Sequence, residues 1–187
     1  VPSYIEWLTE NLSKGDRVGV FGGHFSAASI EKLERDLGRE GIQAVTEYDL
    51  IGEIWADREP MPKEPIFIHD TKYAGKSSSE KVDTVRDRMR KNRADYYLIG
   101  SLDDIAWLYN IRGNDVPFNP VTISYALISH QEAWLFIDPS KVGEDVIEHL
   151  LSQGIQILDY EAVDDKLREL IDSKDSIYID PNRLNYG

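Results

Sequence analysis

The chain has 187 residues, of which 41% are hydrophobic, enough for one or two domains with a buried core. Against 34 acidic residues stand 21 basic ones, and the net charge of -13 repels nucleic acid and anionic membrane. The absence of cysteine excludes disulfides, thiolate metal sites and a cysteine nucleophile. No stretch reaches the roughly 18 to 20 apolar residues of a membrane span, and the N-terminus carries no signal-peptide pattern, so a cytoplasmic protein without nucleic-acid or membrane partners is the expectation.

In chain order, Ser3 caps a predicted amphipathic helix with Tyr4, Ile5, Leu8 and Leu12 on its inner side, ending at Gly15. A short strand follows over residues 17–21, then Gly22, Gly23 and His24, then a helix carrying Ile30, Leu33 and Leu37, and a strand over residues 42–46. A strand, a glycine pair and a helix invite a phosphate-loop reading, but GGHFS has neither the GxGxxG spacing nor a GK[ST] ending. His24 has no partner at metal-ligand spacing and reads as a turn residue.

Pro60, Pro62 and Pro65 lie within six positions and favour extended backbone, which makes residues 56–65 a linker and the clearest domain boundary. Beyond it, Ser77 and Glu80 have capping-box spacing, and Val82, Val85 and Met89 share one helical face. Arg86, Arg88, Arg90, Lys91 and Arg93 on that helix are interleaved with Asp83 and Asp87 and read as a solvated face with intrahelical pairs. Residues 96–99 form a strand, and two apolar runs, 122–129 and 133–137, separated by His130, Gln131 and Glu132 read as an antiparallel hairpin. Asp138 and Pro139 start a helix with Val142, Val146, Ile147, Leu150 and Leu151 inside, Gly154 ends it, and a strand, a helix and a final strand over residues 176–179 follow. The whole is an α/β arrangement around a mixed sheet flanked by helices.

Residues 102–125, LDDIAWLYNIRGNDVPFNPVTISY, mix residue types that packing alone does not demand. Asp103 is placed to cap a short helix, Gly113 to end it with a positive φ, and Pro117 and Pro120 forbid regular pairing until Thr122. A loop carrying Arg112, Asn114, Asp115 and Asn119 beside Tyr109 and Phe118 has the composition of a binding surface, or of a structural loop whose polar groups satisfy one another.

Residues 4–21 also resemble residues 163–180, with Leu8 on Leu167, Leu12 on Ile171, Asp16 on Asp175, Val18 on Ile177 and Val20 on Ile179. If the two are copies, the opening segment is the end of one domain and most of a second follows, in a piece of a longer protein. The opening segment is then expected to pack against the second domain or a neighbouring chain, which covers exposed sheet edges and apolar faces.

The stretch LDDIAWLYNIRGNDVPFNPVTISYALI, with EWL, RVGV, EIWADREPMPKEPIF, YAGKSSSEKVDTVRDRM and YIDPNRLNYG, resembles the three-domain Xaa-Pro aminopeptidases, the aminopeptidase P branch of the creatinase and prolidase family. The resemblance implies a creatinase/prolidase N-terminal-domain fold with a ribonuclease H-like motif. It divides the chain into the end of a first such domain, 1–55, the linker 56–65, and a second, middle domain, 66–187, truncated at its end. It further implies a parent that removes the N-terminal residue before a proline. In that parent two divalent metal ions, usually manganese, sit in a C-terminal catalytic domain that lies outside this chain. Partners implied are that domain, proline-containing peptides and a second copy of the parent as a homodimer.

Within this chain no catalytic or metal-ligating residue is expected. His24, His69, His130 and His149 are scattered, no HxxE or HExxH pattern is present, and no serine lies in GxSxG. Arg112, Asn114, Asp115 and Asn119 are the residues expected to face the substrate cleft or to dock the catalytic domain. The alternative is a stand-alone α/β domain, or an inactive paralogue, that binds a ligand or partner.

Overall fold

The computed structural model describes residues 2–186 and divides into two compact units, Val1–Pro60 with Asp180–Gly187 and Met61–Ile179. The second unit therefore stops short of residue 187, because the PNRLNYG tail belongs to the first.

The first unit holds α1 (Tyr4–Asn11), β1 (Arg17–Gly19), α2 (Ala27–Arg39), β2 (Gln43–Val45) and α3 (Leu50–Ile54). A capping box joins Ser3 and Glu6 at the start of α1. β1 and β2 pair in parallel through the α2 crossover, with Val18 opposite Ala44. Leu33, Leu37 and Ile42 form a small core under Ile5, Leu8 and Leu12, whereas Tyr4, expected inside, is largely exposed.

The second unit is built on a five-stranded mixed sheet in the order β8-β7-β6-β4-β9. Its elements are β3 (Phe67–Ile68), α4 (Thr71–Ala74), α5 (Ser78–Asn92), β4 (Tyr96–Ile99), α6 (Leu102–Leu108), β5 (Ile111–Arg112), β6 (Tyr125–Ser129), β7 (Ala133–Phe136), α7 (Glu144–Ser152), β8 (Ile155–Leu158), α8 (Val163–Leu170) and β9 (Ile177–Tyr178). The β6–β7 hairpin is antiparallel as its turn residues require, while β8 and β9 join in parallel at opposite ends. Every residue of β7 is buried, because the sheet is covered on both faces. Ile128, Leu135, Ile155, Val146 and Leu150 belong to one face's core, and Trp134, across from Leu127, faces the ammonium of Lys166 on α8 at 5.6 Å.

Some local expectations are corrected. Asp138 caps a short 3-10 turn, and α7 begins only after Gly143. Ile147 and Leu151 stay partly in solvent, since the buried stripe of α7 is the Val146 and Leu150 side. The basic face of α5 carries the anticipated pairs, Arg86 with Asp83 at 3.3 Å and Arg90 with Asp87 at 2.6 Å.

The resemblance between residues 4–21 and 163–180 extends to hydrogen bonds. The amide of Leu12 donates to the Leu8 carbonyl as that of Ile171 does to Leu167, each at 3.0 Å. Asp16 accepts from the Ser13 amide at 2.8 Å, and Asp175 accepts from the Asp172 amide at 2.9 Å. Two sequence segments therefore close the same helix-to-strand turn with the same aspartate.

Candidate functional site

The loop after α6 is held by groups that helix ends demand. Ser101 is the N-cap of α6 but its side chain does not cap the helix, and Asp103 and Asp104 lie exposed in the first turn, where they favour the helix dipole. At the other end the Arg112 guanidinium donates to the Ala106 and Ile111 carbonyls at 2.6 and 2.8 Å, and Lys81 donates to the Trp107 carbonyl at 2.7 Å. Two cations thus satisfy carbonyls that a helix C-terminus leaves free.

Lys81 is almost wholly buried, donates to Asn110 Oδ1 at 2.6 Å and lies 4.5 Å from the Trp107 ring centre. Burial holds its ammonium below the usual lysine pKa, and the charge of Arg112 acts in the same direction. The positive φ that ends α6 belongs to Asn110, at 51°, and not to Gly113. Gly113 is needed for space instead, since a Cβ there would lie 2.9 Å from that of Thr122.

Asp115 is the buried root of the loop. Its carboxylate pairs with Lys141 and accepts from the Ile123 amide at 2.6 Å and the Thr122 hydroxyl at 3.0 Å, while Lys141 also donates to Thr122 at 2.6 Å. Both charged side chains are out of solvent, so Asp115 is spent on the fold and is not presented outward. Asn114 is exposed, and Asn119, half-buried, reaches Asp103 at 3.4 Å.

Between these anchors the chain makes a tight turn, closed by the Asn119 amide donating to the Val116 carbonyl at 3.1 Å. Pro117 occupies its second position and Phe118 its third, with φ of 64°. That pattern suits a type II turn, whose third position favours glycine. Phe118 is instead fully exposed, at 108% of its reference area. Residue types pointed to Arg112 and Asp115 as the presented groups, yet the structure turns those inward and turns Phe118 outward. A Pro-aromatic pair between two hydrogen-bonding anchors was the available signal.

Beside the same helix, α5, α6 and β4 enclose an open groove of ≈ 440 Å³ lined by Lys81, Arg88, Tyr97, Asp104, Trp107 and Tyr178. Its aromatic walls and mixed charge suit an amphipathic segment better than a small anion. Among the described residues there is no group of three or more His, Cys, Asp or Glu side chains able to hold a metal ion.

In the first unit, Gly22 and the start of α2 receive the chain's own tail. The Ala27 and Ala28 amides at the start of α2 donate to the Leu184 and Pro181 carbonyls at 2.9 and 2.8 Å, and Tyr186 donates to Phe25 at 3.0 Å. Donors that could have met a phosphate therefore meet carbonyl oxygens.

A buried mixed sheet flanked by helices carries a loop whose Arg112 and Asp115 are anchored to the fold. The family profile described as Creatinase/Prolidase N-terminal domain matches residues 57–187, and the chain belongs to that family. It is the N-terminal-domain region of Xaa-Pro aminopeptidase-like proteins.

A protein named "Probable Xaa-Pro aminopeptidase P" from Sordaria macrospora is 39% identical over 164 residues, 86% of this chain and 26% of its own length. "Aminopeptidase P2" of Arabidopsis thaliana is 35% identical over 99% of this chain and 26% of its own length. The crystal structure of an X-prolyl aminopeptidase from Caenorhabditis elegans, described as a cytosolic enzyme with a di-nuclear active site, superposes with a TM-score of 0.90 at 29% identity. That match covers 99% of this chain and 31% of that one. The chain thus spans about a quarter of the length of the curated relatives it matches.

Proposed function

We propose that the chain is a non-catalytic region of a Xaa-Pro aminopeptidase and that it shapes the substrate cleft and subunit contacts of a homodimeric, cytoplasmic parent. The observation that carries this reading is the near end-to-end likeness to relatives with that name, of which this chain spans only about a quarter. The parent removes the residue before a proline with two divalent metals, manganese in our reading, held by its larger, C-terminal portion. An X-Pro bond needs such an enzyme because its tertiary amide has no N–H and a fixed φ, which general peptidases that read the backbone cannot use.

In this reading Asn114, Asn119 and the turn between them face the cleft or the catalytic portion, while Arg112 and Asp115 set that turn's position from within. The first unit is the end of a related domain, as the shared turn at Asp16 and Asp175 supports. The ≈ 440 Å³ groove favours a second reading, a binding module in an inactive paralogue. Cleavage of Arg-Pro-Pro by the full-length parent with and without Mn²⁺ decides between them. Metal-dependent release of arginine by the parent, and none by this chain, is expected. Hydrolysis by the chain alone would overturn the proposal, and an inert metal-loaded parent would leave the binding-module reading standing.

A further inference from the structure

We propose that Phe118 is a preset anchor by which the second unit docks onto the metallopeptidase portion of the parent, its ring filling an apolar socket there. This rests on the reading that such a portion exists. Phe118 stands in a left-handed conformation at a turn position that favours glycine, and its ring gains no burial within its own chain. A bulky residue that breaks the local turn rule without compensation marks a functional position.

The turn is rigid at both ends. The Asp115 amide donates to Val121 at 3.3 Å, Val121 donates to Asn119 at 2.8 Å, and the buried Asp115 and Lys141 pair fixes the root. An aromatic ring held this way loses little freedom on docking, as anchor residues at interfaces do. The occupant is argued from what lies outside this chain. Relatives are about four times as long, so most of their surface is tethered to this domain and meets it at high effective concentration. A fixed, stiff aromatic also suits an invariant socket better than substrate peptides whose sequences vary. Asp103 and Asp104 lie exposed on the helix whose first turn Asn119 reaches, so a basic rim around that socket is expected.

The test uses full-length parent carrying Phe118→Gly, which removes the ring and supplies the residue the turn favours, with Phe118→Ala as a second variant. Hydrogen exchange of residues 114–121 is compared with that of β6 and β7. Anchoring requires exchange at least tenfold faster in both variants across the turn, with β6 and β7 unchanged. Equal exchange in wild type and variants would overturn it. So would protection that arises only with a bound X-Pro peptide, which assigns Phe118 to substrate, or a wild-type dimer that the variants make monomeric, which assigns it to a second copy. Wild-type peptide cleavage with added metal is measured separately, so failure of the aminopeptidase reading and failure of the anchor are distinguishable.

Discussion

Asp115 and Lys141 show how one residue type can carry opposite meanings. In a loop of Arg, Asn and Asp, a carboxylate looks like a presented group, yet here it is wholly buried against an ammonium, a hydroxyl and an amide. Such a pair costs desolvation, so its removal in halves is worse than its removal in full. Asp115→Ala is expected to lower stability by about 3 to 5 kcal/mol, because Lys141 is left charged and unpaired. Replacing both, Asp115→Leu with Lys141→Met, recovers most of that loss, as urea unfolding followed by tryptophan fluorescence would check. A double variant as unstable as the single one would mean that the pair itself, and not the orphaned charge, matters.

At the scale of elements, the start of α2 is the instructive case. The sequence GGHFS before a helix suggests an anion loop, and the spacing argues against one, but nothing in the spacing says what the glycines are for. Gly22 makes room for the tail, since a Cβ there would come within 1.9 Å of the Tyr186 carbonyl, while one on Gly23 would meet the Phe21 ring at 2.7 Å. Gly22→Ala is expected to displace residues 180–186, to speed exchange of the Ala27 and Ala28 amides, and to cost about 1 to 3 kcal/mol. Unchanged protection of those two amides would refute the tail's capping role. The same unit exposes Trp7, Ile54 and Trp55, and among the described residues its sheet is the two strands β1 and β2.

For the molecule as a whole, charge sets the response to pH. The Ser77 amide holds Glu80 below the ordinary carboxylate range, the Lys32 ammonium does so for Asp36, and the Ser140 side chain for Asp138. A group with a depressed folded pKa contributes stability that is present above its unfolded pKa, near 4, and is lost as pH falls through the folded value. Acidification first relieves repulsion within a chain of net charge -13, whose pI is ≈ 4.7. Melting temperature is therefore expected to hold or rise from pH 7 to about 5 and to fall steeply below about 4. A curve that still rises toward pH 3 would show that repulsion outweighs these hydrogen-bonded carboxylates.

Most of the longer helices and strands, the hairpin, the cap at Ser3, the capping box at Ser77 and the repeat around Asp16 and Asp175 were legible in the sequence, because periodicity and cap chemistry act over a few residues; the short α3, α4, β3 and β5 were not. The mixed sheet followed from the alternation of those elements, and the family from the 102–128 stretch. Three-dimensional packing alone decided that Asn110 rather than Gly113 ends α6, that Arg112 and Asp115 turn inward, and that Phe118 turns out. It also decided that the tail caps α2. Several of these depend on partners far along the chain, Lys81, Lys141 and Leu184 among them, and a local pattern holds no record of which distant donor or acceptor a polar group will meet.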